Sequence, residues 1–299
     1  MSNPSGPDVS ICIVSLDCSD VLKDCLDSLG ASIAPFTYEV IVVDNASTDG
    51  VVDELKARGY PKLRIVQNDR NVGFTKATNQ GIQLSSGKHI LWLNADTVLN
   101  PGSLSLLVKF LNENPKAGIV GPKVLNPDGT FKPQCRRGMP TPWASLTHSL
   151  KLDRFWPQKT IFGQYLLTYL PVDQVCPVDA VSGCCLMARR EVWESIGPLD
   201  EAIFGFGEDL DWCVRAKQAG WEVWYYPQSV IVHLKGQGGV HAKPYHKVFG
   251  IHQAMWVFYR KHLASKYPWI VGIFVSIGIG ISFIFSIILT WLRRLLRIF

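Results

Sequence analysis

Several common sequence signatures are missing from this chain, and each absence narrows what it can do. The first predicted strand, residues 9–15, runs into Leu-Asp-Cys-Ser without a glycine, so the GxGxxG dinucleotide fingerprint is absent. Neither GxxxxGKS/T nor GxSxG occurs, which argues against a P-loop enzyme and an α/β-hydrolase. A bound nucleotide would therefore have to be held by acidic side chains and a metal ion instead of a glycine-rich loop.

The chain also lacks paired cysteines and a strong excess of charge. Its eight cysteines form no CxxC pair, so a zinc or redox site is not indicated, and a reducing compartment is the simplest fit. The formal net charge of +5 is spread along the chain, and the visible basic cluster is Arg293, Arg294 and Arg297. These features give no case for nucleic-acid binding.

The two ends of the chain differ sharply in hydropathy. Residues 1–8 lack the basic and apolar regions of a signal peptide, and we expect them to be disordered. Residues 269–292 form a run of 24 residues without a charge, flanked by Trp269 and Trp291. About 20 such residues span a bilayer, and tryptophans often mark its interfaces. We therefore expect a transmembrane helix at 269–292 and a basic tail at 293–299. Basic residues flank the run on both sides and therefore do not decide its orientation. Because residues 1–8 do not resemble a signal peptide, we expect the main domain to stay in the cytoplasm.

Apolar periodicity predicts an α/β fold with a mainly parallel sheet and flanking helices, because strands and helices alternate along the chain. Strands are expected at 9–15, 40–43, 63–66, 89–93, 118–124, 223–226 and 230–233. Helices are expected at 20–29, 51–57, 74–84, 104–111, 190–196, 208–219 and 245–262. The pattern breaks at 126–178, which we interpret as a variable insertion that lines or covers a site. The main domain is predicted at 9–245, with a linking helix at 246–268.

Two carboxylates follow apolar strands in this pattern. Asp44 ends the run 40–43, and Asp96 follows the run 89–93. Ligands of parallel α/β sheets bind at the carboxyl ends of strands, near the point where strand order reverses. One such acid is commonly a turn or helix-capping residue, but two in successive strand–turn–helix units indicate a site. Asp44 could accept hydrogen bonds from a base or ribose, and Asp96 could bind Mg²⁺ or Mn²⁺ on a diphosphate.

Three further segments could contribute to such a site, each with an ordinary structural explanation beside the functional one. Gly73 precedes a predicted helix and would allow close approach of an anion, although a plain turn explains it as well. Glu208 and Asp209 open a helix, where acids either complement the helix dipole or serve as a general base. His233 ends a strand and is either a second metal ligand or a structural histidine.

With these motifs assembled, the chain resembles a family 2 glycosyltransferase of the GT-A fold, in the subgroup that includes rhamnosyltransferases. The resemblance covers about residues 9–239, and its specificity lies in the order and spacing of six motifs. These motifs are 42–50 (VVDNASTDG), 71–74 (NVGF) with 79–81 (NQG), 93–97 (LNADT), 197–201 (GPLDE), 208–211 (EDLD), and 220–221 (GW) through proline 227 to histidine 233.

The resemblance implies a nucleotide-sugar donor, a divalent metal ion and inverting transfer to an acceptor hydroxyl. It assigns Asp44 to the nucleotide, Asp96 and His233 to the metal, and Asp209 to the general base. The other residues that it implies for nucleotide or substrate binding are Ser15, Asp17, Asn45, Ser47, Asn71, Gly73, Phe74, Asn79, Asn94 and Glu208. The chain departs from the family pattern in having Leu16-Asp17 for Tyr-Asn, Ala95 for proline, and Gly238-Gly239 where a serine is usual.

We expect the acceptor to be a lipid-linked glycan in cell-surface polysaccharide synthesis, because a C-terminal anchor would hold the site near a cytoplasmic or inner membrane. Rhamnose from a dTDP donor is the first expectation. A polyprenyl-phosphate glycosyltransferase is the main rival, and it would need basic residues near the site, for which Arg136 and Arg137 are the candidates. A nucleotidyltransferase could also use strand-end acids and a metal ion, and an inactive scaffold that binds nucleotide or glycan is the non-enzymatic possibility.

Overall fold

A computed structural model describes residues 6–203, 205–234 and 244–295. Predictions that fall on residues 1–5, on the glycine pair at 238–239 and on Arg297 lie outside these ranges. The strands are β1 Val9–Ser15, β2 Tyr38–Asp44, β3 Leu63–Gln67, β4 His89–Asn94, β5 Thr97–Leu99, β6 Ala117–Leu125, β7 Arg136–Arg137, β8 Cys176–Pro177, β9 Ala180–Val181, β10 Cys185–Arg189 and β11 Glu222–His233. The helices are α1 Ser19–Ile33, α2 Val51–Arg58, α3 Phe74–Gln83, α4 Ser103–Glu113, α5 Pro142–Ser149, α6 Leu152–Phe155, α7 Thr160–Gly163, α8 Arg190–Ile196, α9 Glu208–Gln218, α10 Pro244–Phe258 and α11 Trp269–Leu295.

The described residues form a central nine-stranded sheet of order β3-β2-β1-β4-β10-β6-β11-β5, with β8 paired to β11. Six strands, β1 to β4, β6 and β11, run parallel, and β5, β8 and β10 run antiparallel to them. The predicted α/β class and mainly parallel sheet are therefore confirmed. A separate two-stranded sheet pairs β7 with β9.

Helices cover both faces of this sheet, as the alternation of buried residues along β2 shows. Val40 and Val42 join the main hydrophobic core, whereas Ile41 and Val43 pack with Ala77 of α3 in a separate cluster. A parallel strand that is buried on both faces typically has a continuous apolar sequence. The sequence of β2 has such a run at residues 40–43.

Three predicted elements differ from the structure in more than the positions of their ends. The expected strands at 223–226 and 230–233 are one strand, β11, whose pairing to β6 shifts between Tyr226 and Val230. Pro227 lies in this interval and has no N–H to donate, so the ladder is interrupted while the chain stays extended. The helix expected at 245–262 ends at Phe258 and continues as a π-type turn at Tyr259–Leu263.

The C-terminal helices pack against each other and against α9. His252 Nε2 of α10 lies 3.0 Å from Ser282 Oγ of α11. Toward the sheet domain, Gln253 Nε2 donates to the Ala202 carbonyl over 3.1 Å, and His262 contacts Asp211 of α9. Within the described residues, α11 is the one helix long and apolar enough to cross a membrane, and its apolar window is not buried inside the protein.

Candidate active site

The carboxyl ends of three parallel strands meet at one edge of the sheet and bring the first candidate residues together. Strand register places Ser15 opposite Asp44 and Val14 opposite Asn94. At the same edge, β11 pairs with β5 so that His233 lies opposite Thr97. Residues from four distant parts of the chain therefore share this edge because of the sheet topology.

Asp44 is buried at the end of β2 with one carboxylate oxygen unused. Ser47 N donates to Asp44 Oδ2 over 3.2 Å, whereas the buried Oδ1 has no hydrogen-bond partner among the described residues. Buried polar atoms are nearly always paired in folded proteins, so an unpaired carboxylate oxygen calls for a donor from a ligand. A nucleobase N–H or a ribose hydroxyl is such a donor.

The loops after β1 and β2 bind each other through two predicted site residues. Ser47 Oγ accepts from Asp17 N over 3.0 Å, and Asp17 Oδ1 accepts from Thr48 N over 2.7 Å. Asp17 has a φ of 46°, which is uncommon for a residue with a side chain but tolerated by aspartate. The carboxylate that replaces the family's Asn at this point is therefore used to hold the two loops together.

An asparagine network shapes the loop before α3. Asn45 Oδ1 accepts from Val72 N over 3.0 Å, and Asn45 Nδ2 donates to Asn71 Oδ1 over 2.9 Å. Asn71 Oδ1 also accepts from Gly73 N over 2.9 Å, and Gly73 has a φ of 90°, which favours glycine. The predicted residues Asn45, Asn71 and Gly73 thus lie together beside Asp44, with their amides positioning the loop.

Asn79 and Phe74 lie on α3 and have different surroundings. Asn79 Oδ1 accepts from Leu199 N over 2.9 Å, and Asn79 Nδ2 donates to Leu199 O and to Glu201 Oε1. In the structure its amide contacts the loop before α9, and the expectation that Asn79 binds nucleotide stays a prediction. The ring of Phe74 lies 5.8 Å from that of Trp92, on the strand that leads to Asn94 and Asp96.

Asp96 and His233 form the predicted metal pair. Asp96 Oδ1 and His233 Nε2 lie 2.9 Å apart, and Asn94 Nδ2 is 3.4 Å from the same ring nitrogen. The buried Lys132 Nζ contacts His233 Nδ1 on the other side of the ring. Burial opposes the charge of Asp96, but the hydrogen bond to His233 and the nearby positive charge outweigh it and lower the pKa of Asp96.

These side chains fit a hard divalent cation that takes its remaining ligands from a substrate. Mg²⁺ and Mn²⁺ are often held by one or two protein groups together with phosphate oxygens and water. Asp96 supplies a carboxylate at the strand edge, while the buried Asn94 Oδ1 has no partner in the described ranges. No group of three or more acidic, histidine or cysteine side chains suited to a metal occurs within them. Asp96 is thus the stronger candidate ligand, because Lys132 donating to Nδ1 leaves the His233 proton on Nε2, directed at Asp96.

Asp209 lies in the first turn of α9 and is paired with a buried arginine. Its Oδ2 accepts from Arg137 Nη2 over 2.7 Å and from Gly183 N over 2.8 Å, and its Oδ1 accepts from Leu210 N over 2.7 Å. A Cβ on Gly183 would lie 2.7 Å from the Trp92 ring and 3.2 Å from Asp209 Cβ, so glycine is required there. The loop before β10 therefore carries Asp209 against β4, the strand that ends at Asn94.

Glu208 is buried beside Asp209, and its Oε2 has no partner in the described part of the chain. Burial, and then the charge of Asp209, raise the pKa of Glu208 to about 8. Glu208 is therefore protonated at neutral pH and can donate a hydrogen bond, whereas Asp209 pairs with Arg137. The structure therefore distinguishes Glu208 from Asp209, whereas the sequence pattern indicated the same possible roles for both acids.

The site also contains Lys132 and Gly183, which the sequence did not indicate, and Arg137, which the sequence suggested only as a residue for a phosphate acceptor. Lys132 and Arg137 come from the 126–178 segment, where no periodicity exists to place them. Arg136 points elsewhere, since it donates to the carbonyls of Leu170 and Pro171 and lies 4.9 Å from the Tyr225 ring centre. The two arginines that a phosphate acceptor would need are therefore used within the protein.

Comparisons with known proteins show the family to which the chain belongs. The model of "Glycosyl transferase family 2" matches residues 10–175. An N-acetylglucosaminyl-diphospho-decaprenol L-rhamnosyltransferase of Mycobacterium tuberculosis is 31% identical over 207 residues, which cover 66% of this chain and 66% of that protein. A low-salt glycan biosynthesis hexosyltransferase of Haloferax volcanii is 27% identical, over 71% of this chain and 62% of its own length. The chain thus spans about two thirds of these relatives.

Among solved structures, a mannosyltransferase from Pyrobaculum calidifontis, in complex with GDP-Man and Mn²⁺, has a similar fold. The match has a TM-score of 0.59 at 17% sequence identity and covers 96% of this chain and 75% of that one. At this identity the likeness concerns the fold alone. The location of Asp44 and Asp96 at strand ends, and of Asp209 in the first turn of α9, therefore depends on the geometry described above.

Proposed function

The chain belongs to glycosyltransferase family 2, and from this premise we propose that it transfers a sugar from a nucleoside-diphosphate donor to an acceptor hydroxyl with inversion. The observations that support the proposal are the position of Asp44 and Asp96 at the carboxyl ends of β2 and β4, which both pair with β1, and the contact of Asp209 with the Gly183 loop beside Trp92 of β4. Each of the three acids has a different environment. Asp44 offers an unpaired buried oxygen, Asp96 a carboxylate of lowered pKa, and Asp209 an ion-paired carboxylate.

The chemistry we propose is a single displacement with Asp209 as the general base. Asp209 accepts the proton of the acceptor hydroxyl while that oxygen forms a bond to the anomeric carbon of the sugar. The bond from this carbon to the diphosphate breaks, and the nucleoside diphosphate leaves with the electron pair. One carboxylate suffices, since inversion requires no covalent intermediate on the protein.

We assign donor binding to the residues at the carboxyl ends of the strands. Asp44 would accept a hydrogen bond from the base or ribose, beside the loop that Asn45, Asn71 and Gly73 shape. Asp96, with His233 next to it, would hold a Mg²⁺ or Mn²⁺ ion, which neutralises charge on the departing diphosphate when bound. Lys132 adds a positive charge at the same place, within contact of His233.

We propose a lipid-linked glycan as the acceptor and a membrane as the location of the enzyme, with the catalytic domain on the cytoplasmic side. Support comes from the apolar helix α11 and from the mycobacterial relative, whose name describes a diphospho-decaprenol acceptor and L-rhamnose. A dTDP-rhamnose donor is our first choice on the same ground. The polyprenyl-phosphate alternative is disfavoured, because Arg136 and Arg137 are bound within the protein.

Substitution of the base tests this proposal. Asp209→Asn is expected to lower the rate of sugar transfer by about 10²–10⁴-fold, because the amide cannot accept the proton. Nucleotide-sugar binding, measured by calorimetry, should remain, since Asp44 and Asp96 are untouched, and retained binding also reports a folded protein. Asp53→Asn, a change of an exposed acid in α2, is the matched control. Wild-type transfer rates in Asp209→Asn would remove Asp209 from the base role.

A further inference from the structure

Arg137 has a contact pattern that differs from that of a surface arginine. It lies in β7, only 9% exposed, and its Nη2 donates to Asp209 Oδ2 over 2.7 Å and to the Val181 carbonyl over 2.8 Å. Burial works against its charge, but the Asp209 carboxylate outweighs burial and raises the pKa of Arg137. The arginine is thus a permanent cation enclosed beside the proposed base.

The pairing of β7 with β9 fixes where this cation lies. Arg136 is opposite Val181 and Arg137 is opposite Ala180, so the two-stranded sheet holds Arg137 next to the Gly183 loop. Gly183 N donates to the same oxygen, Asp209 Oδ2, as the guanidinium does. Both donors therefore engage Oδ2, and Oδ1, held by Leu210 N alone, carries the lone pair that remains for a substrate proton.

The other titratable groups around Asp209 do not replace this charge. Glu208 adjoins it on α9, and burial raises its pKa to about 8. Cys213 on the same helix and Cys184 in the loop before β10 are buried thiols whose pKa values burial raises, so both are neutral. Tyr165 lies near the guanidinium and affects Arg137 electrostatically. Arg137 is the cation in direct contact with Asp209 among the described residues.

We propose that Arg137 is a positioning residue for proton transfer, which keeps the Asp209 carboxylate ionised and turned so that Oδ1 faces the acceptor hydroxyl. This inference depends on the proposed role of Asp209 as base. Without the cation, Asp209 and Glu208 would be two adjacent buried carboxyl groups, and a proton on Asp209 would become more favourable. The protonated form cannot accept the proton of the acceptor.

The test is the pH dependence of transfer by Arg137→Met. At neutral pH we expect kcat to fall about tenfold or more, which corresponds to about one molecule in ten or fewer with an ionised base when the cation is removed. The loss should shrink as pH rises, while KM for the nucleotide-sugar stays near that of the wild type. Arg137→Lys keeps a positive charge and should keep the wild-type pH profile. Arg137→Gln serves the same test if the Met variant does not fold.

Arg136→Met is the matched control, since Arg136 is also buried on the same strand but contacts carbonyls instead of Asp209. Its pH profile should have the wild-type shape. An equal loss at every pH in Arg137→Met, or an unchanged profile, would overturn the inference and leave Arg137 a structural residue. Asp209→Asn separates the two claims. Full activity of this variant would contradict the assignment of Asp209 as the base. An inactive Asp209→Asn, together with an Arg137→Met variant whose pH profile is not shifted, would contradict only the role of Arg137.

Discussion

At the residue scale, buried charge around α9 continues beyond the proposed base. Asp211 is fully buried and accepts from Arg215 Nε over 2.9 Å and from His262 Nε2 over 2.7 Å, and Lys261 Nζ lies 2.9 Å away. Burial opposes its charge, but the bonds from His262 and Lys261 outweigh burial and lower the pKa of Asp211 to about 2. This carboxylate ties the helix of the base to the turn after α10.

Asp211→Asn is expected to lower the free energy of unfolding at neutral pH by about 2 kcal/mol, from a decrease of roughly two pKa units. A carboxyl group whose pKa is lower in the folded state than in the unfolded state stabilises the fold at pH values above its unfolded-state pKa. The contribution of Asp211 is therefore present above about pH 4. It should be lost as pH falls from about 4 to about 2. Denaturant unfolding across pH measures this, with Asp53→Asn as the exposed control. A penalty that stays constant down to acidic pH would contradict the account.

Single site residues were predictable where a strand end determined their position. Asp44, Asn94 and Asp96 follow apolar runs, and a parallel sheet necessarily collects such ends at one edge. Arg137 was not predictable as a partner of Asp209, because 72 residues separate them and the intervening segment has no periodicity. Asn79 shows a second limit: its motif matches the family, but the sequence did not indicate that its amide contacts the Leu199 loop.

At the element scale, long periodic segments were predictable and short ones were not. β1 and α8 have the predicted limits, 9–15 and 190–196. β5, β7 and β9 have three, two and two residues, too few for an alternating pattern, and yet they place His233 and Arg137. The short strands that make the long-range contacts of the site are therefore the elements that are hardest to predict from the sequence.

Helix α11 gives a prediction about membrane binding. Its apolar side chains face outward, as with Phe274 at 68% and Ile281 at 64% exposure. Removal of the chain from Trp269 onward should move the protein from the vesicle-bound to the soluble fraction in a liposome flotation assay. Ile277→Lys with Ile281→Lys is a matched variant of full length, since each central lysine disfavours insertion by about 2.5–3.5 kcal/mol. A truncated chain that floats as the wild type does would assign membrane binding to another element.

At the scale of the whole molecule, the sheet and the C-terminal helices meet at α9. The first turn of α9 carries Glu208 and Asp209. In the same helix, Asp211 contacts His262 of the turn at Tyr259–Leu263. Helix α10, which precedes that turn, contacts α11 through His252 and Ser282. Through these contacts, the helix that carries the proposed base is linked to the helix proposed to enter the membrane.

The central claim, that distant carboxylates converge on one cation-bound sugar diphosphate, is tested most directly by calorimetric titration of nucleotide-sugars with and without Mn²⁺. We predict that the wild type binds one donor about tenfold or more tightly with the ion than with a chelator, and that Asp96→Asn loses this dependence. Asp44→Asn should bind the nucleotide about tenfold or more weakly with or without the ion, because an amide NH2, which donates, would take the place of the unpaired acceptor oxygen. Wild-type binding in both variants, or no binding of any nucleotide-sugar to the wild type, would contradict the account.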